Sequence, residues 1–198
     1  MSLGDRLFIA RLLARDERAF QELVVQYGDR VFGLVFRFVG NRAEAEDVAQ
    51  EVFVTVWKSI ETFRSESRLS TWLFRIAANH AKNRIKYLAR RSTDRGGLDD
   101  APEGALADVG HLGVAATHGH VRGPDAALEA AQRGGALERA IASLDEDQRL
   151  VVILRDVEEL SYDEIGEITG LPEGTVKSRL HRARLALKEF LQAEGEMP

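Results

Sequence analysis

The apolar residues of this chain recur in steps of three, four and one, and no stretch alternates in steps of two. Phe20, Leu23, Val24, Tyr27, Val31, Leu34, Val35 and Phe38 fall on one stripe of a helix that Gly40 ends. A pattern of that period predicts amphipathic helix and leaves nothing from which to build a half-buried sheet. Asn41 with Glu44 three residues on has capping-box spacing, and it opens a helix running through Val48, Val52, Val56 and Ile60 to about Phe63. Residues 63–67 are a loop, and Ser70 or Thr71 is expected to cap a long helix reaching about Arg91. Helical spacing returns at Leu137, Ala140, Ile141 and Leu144, then at Leu150, Val151, Leu154 and Val157. The predicted fold class is all-α.

Between the two helical stretches the pattern stops. Residues 92–127 hold seven glycines, two of the four prolines and no aromatic ring. Such a segment has too little apolar surface to offset the entropy of ordering it, so a flexible linker is expected there. Two small helical domains follow, 1–91 and 128–198. The formal charge of −5 divides unevenly among these parts: 1–91 is net +5, 92–127 net −4 and 128–198 net −6. The chain has no cysteine, which removes disulfides, thiolate metal sites and thiol nucleophiles. It has no apolar run of membrane-spanning length, and its first residues lack a signal-peptide core, so a cytoplasmic protein without membrane insertion is expected.

Ser161-Tyr162-Asp163-Glu164 is a second capping box, this time opening a short helix with Ile165 and Ile168 facing inward. Gly170 suits the left-handed residue that ends it, and Pro172 suits the first turn of the next helix. That helix buries Val176, Leu180, Ala183 and Leu187 and turns Lys177, Ser178, His181 and Arg182 outward, with Arg179 and Arg184 flanking. A short helix, a glycine turn and a longer helix with a cationic outer face match the helix-turn-helix, whose second helix enters the major groove. An ordinary helical hairpin with a solvated basic face satisfies the same spacing.

The helix from about Thr71 carries a second cationic strip. Seven basic residues and no acid lie between Ser67 and Thr93. Trp72, Arg75, Asn79, Lys82, Asn83, Lys86 and Arg90 share one side. Cations for phosphates, amides for base edges and an indole for an unstacked base suit a nucleic-acid strand. A solvated face or a membrane-surface helix are the other readings, and the core-like apolar stripe disfavours the membrane. Glu44, Asp47 and Glu51 line a helix face beside Gln50, with no nucleophile or phosphate loop near them, so partner docking is favoured over catalysis. His80 lies on the inward stripe as a core histidine.

Taken in order, Ala45-Glu46-Asp47-Val48-Ala49-Gln50-Glu51-Val52-Phe53, then Thr71-Trp72-Leu73-Phe74-Arg75-Ile76-Ala77-Ala78-Asn79, then Leu160 to Ile165 and Gly174 to Arg184, the chain resembles a bacterial RNA polymerase sigma factor of the extracytoplasmic-function group. The resemblance implies that 1–91 is sigma region 2 and 128–198 sigma region 4. It implies core polymerase as partner, through the clamp of the largest subunit, where Glu44, Asp47, Gln50 and Glu51 dock, and through the flap of the second largest. It assigns Arg68, Trp72, Arg75, Asn79, Lys82, Asn83 and Lys86 to the opened minus-ten strand. Lys177, Ser178, Arg179, His181 and Arg182 are assigned to the minus-thirty-five duplex. An anti-sigma protein is the expected regulator. No catalytic residue, metal or cofactor is called for.

Two promoter elements two helical turns apart are separated by ~70 Å. A coil spanning 92–127 has an end-to-end distance of only ~30–36 Å, although it stretches to ~120 Å. The free protein is therefore expected to bind promoter DNA poorly, with core polymerase supplying the extended path. Gly134-Gly135 interrupts the helix expected before Leu137, leaving the start of the second domain open, and His111, His118 and His120 in the linker are neutral residues or a metal sensor. A helix-turn-helix regulator without sigma activity is the alternative function, and a helical nuclease using Glu44, Asp47 and Glu51 is a more distant one.

Overall fold

Asp16 shows how the front half is assembled from its caps. In the computed structural model, which describes residues 3–94 and 135–195, its carboxylate accepts the backbone N–H groups of Arg18 (2.8 Å) and Ala19 (3.2 Å). These are two of the donors that a helix start leaves unpaired. Helix α2 (Glu17–Val39) begins there, and Gly40 ends it at φ 79° with its N–H on the Phe36 carbonyl. Before it lies α1 (Leu3–Leu13), which the apolar pattern did not announce: only Ile9 and Leu12 are buried, while Leu3 and Leu7 are exposed. Helix α3 (Arg42–Ser59) is capped by the Asn41 side chain on the Glu44 N–H (3.0 Å) and tightens into a 3₁₀ turn at Ile60–Thr62.

Helix α4 (Leu69–Asp94) differs from its expected start. It begins one residue before Ser70, so neither Ser70 nor Thr71 stands at a cap. Thr71 is instead fully buried, because the helix turns it onto Glu164 of the back half, with its Oγ1 3.3 Å from the carboxylate. At its other end α4 continues three residues past the expected boundary at Arg91. The rest of the expected linker, with its three histidines, and residues 128–134 lie outside the described residues.

The back half consists of α5 (135–143), α6 (Glu146–Val152) with its π-helical extension Ile153–Val157, α7 (Tyr162–Thr169) and α8 (Glu173–Ala193). Gly135 is the first described residue of α5, and Gly134 lies outside the described residues. Pro172 stands one residue earlier than expected, as the residue preceding α8 (φ −58°, ψ 145°). Every regular element among the described residues is helical, as the period predicted.

In the front half α2, α3 and α4 enclose Leu23, Leu34, Phe38, Val52, Leu73 and Phe74, all fully buried. In the back half α6, α7 and α8 enclose Leu150, Ile153, Leu154, Ile165, Val176 and Leu180. These two sets join into one apolar core, chiefly where α7 lies on α4. Polar links accompany the packing. Arg30 Nε donates to Glu158 (2.8 Å), and Arg149 Nη1 donates to the carbonyl of Phe38 in the last turn of α2 (2.8 Å). Arg149 also donates to the carbonyls of Ala142 (2.5 Å) and Leu144 (2.9 Å). One guanidinium thus satisfies carbonyls near the C-termini of two helices, where a cation is favoured by the helix dipole.

Candidate nucleic-acid interfaces

Helix α8 is presented by a turn whose capping box and closing glycine are legible in the sequence. Ser161 Oγ accepts the Glu164 N–H (3.2 Å), and the Glu164 carboxylate accepts the Ser161 N–H (2.9 Å), closing the capping box on α7. Gly170 ends α7 at φ 72°, a conformation that side chains with a Cβ rarely adopt. Gly166 packs closely for a different reason: a Cβ there would sit 3.0 Å from the Leu171 carbonyl, tighter than ordinary contact. Past the turn, Val176, Leu180 and Ala183 face the core, while Lys177, Ser178, His181 and Arg182 are exposed on the opposite side. Lys177 pairs with Glu173 one turn back (2.5 Å), which holds its ammonium above the ordinary lysine value, and it lies over the Tyr162 ring at 5.3 Å. Arg184 is bidentate on Asp156 (3.1 and 2.5 Å). Arg179 departs from its neighbours: it is half-buried, with Nη1 2.5 Å from Asp147.

On α4, Arg75, Asn79, Asn83 and Lys86 are exposed along one side, and Arg68 precedes the helix with its side chain 80% exposed. Trp72 is less free than an indole awaiting a base. It is half-buried against the core, its ring tilted on Phe63 with centroids 5.5 Å apart. Lys82 is also drawn in, with Nζ 3.5 Å from Asp147. Arg84, which the sequence counts in the cationic strip, faces the other way and pairs with Glu44 and with Glu51 (2.8 Å) on α3. Burial works against its charge, but Glu44, Glu51 and Asp47 outweigh that and hold it above the ordinary arginine value.

That clasp divides the expected docking face. Glu44 and Glu51 are held by Arg84, and Glu51 also lies 3.5 Å from Nδ1 of His80, whose Nε2 is 2.9 Å from Thr55 Oγ1. Asp47 and Gln50 stay exposed beside them. Among the described residues no group of three or more histidines and carboxylates is arranged to hold a metal ion.

The two cationic faces open onto one cleft of about 550 Å³, lined by Lys82 and Lys86 from α4, by Arg179 and Arg182 from α8, and by 145–148 at the start of α6. The sequence reading missed the cross-half partners of two acids, Asp147 in this cleft and Glu164, which it read only as part of a capping box. Each stands in the first turn of a helix, where the helix dipole or a capping box already accounts for an acid. Burial raises the energy of the Glu164 carboxylate, but Ser161, Arg68 and Thr71 together keep it below the ordinary carboxylate range.

Comparison with known proteins places the two halves of the chain in one class. The family model for sigma-70 region 2 matches residues 23–91, and that for sigma-70 region 4 matches residues 134–187. The chain is 36% identical to the RNA polymerase sigma-H factor of Pseudomonas aeruginosa, covering 95% of this chain and 94% of the relative. It is 38% identical to the ECF RNA polymerase sigma-E factor of Haemophilus influenzae, covering 96% of each. In fold it is similar to CnrH, solved in complex with the cytosolic domain of CnrY (TM-score 0.66, 23% identity, 96% of this chain and 97% of that one). It is similarly close to the sigma factor RpoE of Bartonella quintana, solved with the anti-sigma factor NepR (TM-score 0.66, 23% identity, 87% and 96%). The chain belongs to the RNA polymerase sigma factors of the extracytoplasmic-function group. No helix among the described residues is long and apolar enough to cross a membrane.

Proposed function

We propose that this sigma factor binds core RNA polymerase and directs initiation at promoters by reading two elements. Helix α8 enters the major groove of the minus-thirty-five duplex, where Lys177, Arg179 and Arg182 donate to phosphates or guanine edges and Ser178 and His181 complete the readout. Helix α4, with Arg68, Arg75, Asn79, Lys82, Asn83 and Lys86, takes the opened minus-ten strand, and Trp72 supplies a ring once Phe63 releases it. Asp47 and Gln50 make the first contact with the polymerase clamp, and Glu44 and Glu51 join them by exchanging Arg84 for a partner's cation. The division 1–91 and 128–198 follows the same roles. An anti-sigma protein, the kind of partner seen with RpoE of Bartonella quintana, is the proposed regulator. The chain works by binding and catalyses no reaction of its own.

The observation that carries this reading is the face of α8. Its apolar side is buried while Lys177, Ser178, His181 and Arg182 remain exposed on a helix presented by a complete capping box and a left-handed glycine. The test is transcription from a randomised promoter library by purified core enzyme with and without the chain. Start sites appearing only when it is present, downstream of two shared motifs, are expected. Duplex binding with no initiation would replace this reading with a helix-turn-helix regulator.

A further inference from the structure

Asp147 lies where the two cationic faces meet. Its Oδ1 is 3.5 Å from Lys82 Nζ on α4, and its Oδ2 is 2.5 Å from Arg179 Nη1 on α8. Lys82 and Arg179 are the two cations of the proposed nucleic-acid surfaces with little exposure, 27% and 23% of their side chains. A carboxylate that accepts one cation from each side does what a backbone phosphate would do at the same spot. Asp145, Glu146 and Asp147 present this negative charge on one wall of the cleft, facing Lys82, Lys86, Arg179 and Arg182.

We propose that Asp147 is an intramolecular latch that stands in for a phosphate, holding the back half closed on α4 and keeping the free chain off DNA. The proposal rests on α4 and α8 being the nucleic-acid surfaces. The latch is reciprocal: a DNA phosphate that takes Lys82 or Arg179 weakens the hold of Asp147, and a partner that separates the halves releases Lys82, while Arg179 stays paired with Asp147 inside the back half. A chain mostly in the closed form binds with its intrinsic affinity reduced by the open fraction, so loosening the latch tightens binding without adding a contact.

Asp147→Asn removes the charge and keeps the shape, and at 49% side-chain exposure Asp147 is not part of the core. Glu146→Gln is the control, with the same change in net charge one residue away in the same cleft. Because the chain has no cysteine, Val25→Cys and Leu185→Cys, on exposed positions of α2 and α8, accept a pair of spin labels on a thiol-free background. In the full chain without polymerase, Asp147→Asn is expected to lengthen and broaden the label distances, and Glu146→Gln to leave them unchanged. Affinity for a single-stranded oligonucleotide, measured by anisotropy, should rise about threefold to tenfold for Asp147→Asn. In rising salt the wild-type distances should move toward those of Asp147→Asn, because screening weakens the pairs. Unchanged distances in Asp147→Asn, equal effects of the two substitutions, or an opened chain that binds no better would each overturn the latch. Promoter-directed transcription with core enzyme decides the underlying functional reading separately, since neither label distances nor oligonucleotide affinity enters it.

Discussion

A carboxylate taken out of water carries a cost that a single arginine rarely offsets in full, and Glu158 lies on the unfavourable side of that balance. Its side chain is 5% exposed, Arg30 is 2.8 Å away, and burial still pushes its pKa above the ordinary carboxylate value despite Arg30 and Arg37. A raised value means that the folded state holds the proton more tightly than the unfolded one. The penalty is absent in acid and grows as the pH rises through the ordinary carboxylate range toward the folded value. Glu158→Gln should therefore be neutral or stabilising at pH 7, with its advantage over wild type shrinking as the pH is lowered, as read by denaturant unfolding across pH. Arg30→Ala should instead cost roughly 1–3 kcal/mol at pH 7, because it leaves the buried carboxylate without its donor. The residues proposed to contact DNA belong to this scale too. Arg182→Ala should weaken minus-thirty-five binding by ~1–3 kcal/mol and relax preference at one position of a duplex competition assay. Asn79→Ala should leave duplex binding intact and reduce strand opening, as read by permanganate reactivity of the promoter. Loss of both functions through failure to bind core enzyme would overturn these roles.

Single elements show where sequence and structure agree and where they part. Ser161→Ala removes the acceptor for the Glu164 N–H, and a loss of about 1 kcal/mol in global stability is expected by chemical denaturation. The frame of the helix-turn-helix was legible because its determinants are local: a cap, a left-handed glycine and an apolar stripe all lie within a few positions of each other. Within that frame Pro172 fell one residue early, and Leu187 is only partly buried. Helix α1 was not legible because it buries only Ile9 and Leu12 and so leaves no stripe to find. The start of α4 was misplaced because Ser70 and Thr71 have the chemistry of caps, and only the back half shows that Thr71 is needed as a buried donor to Glu164. Arg84 was read as part of the cationic strip for the same kind of reason, its partners Glu44 and Glu51 lying 40 and 33 residues away. The π-helical extension at Ile153–Val157 left no trace in the apolar spacing.

At the scale of the molecule, the contacts between the halves link residues as far apart as Arg30 and Glu158, separated by 128 positions. No local pattern encodes such a pairing, which is why the sequence predicts two modules and is silent about how they meet. The closed arrangement adds to the expectation drawn from linker length. The free chain should give little specific shift of a promoter fragment in a gel, and the complex with core enzyme a strong one. A tight, specific shift by the chain alone would contradict both arguments.

Glu164 has consequences at all three scales. On one side it accepts Ser161 of its own helix, and on the other it receives Thr71 and Arg68 of the opposite half. Separation of the halves removes only the second set, so the start of α7 stays pinned when the interface is lost. The back half can thus part from α4 with the first turn of α7 still capped, so the cost of parting falls on the interface and not on the helix.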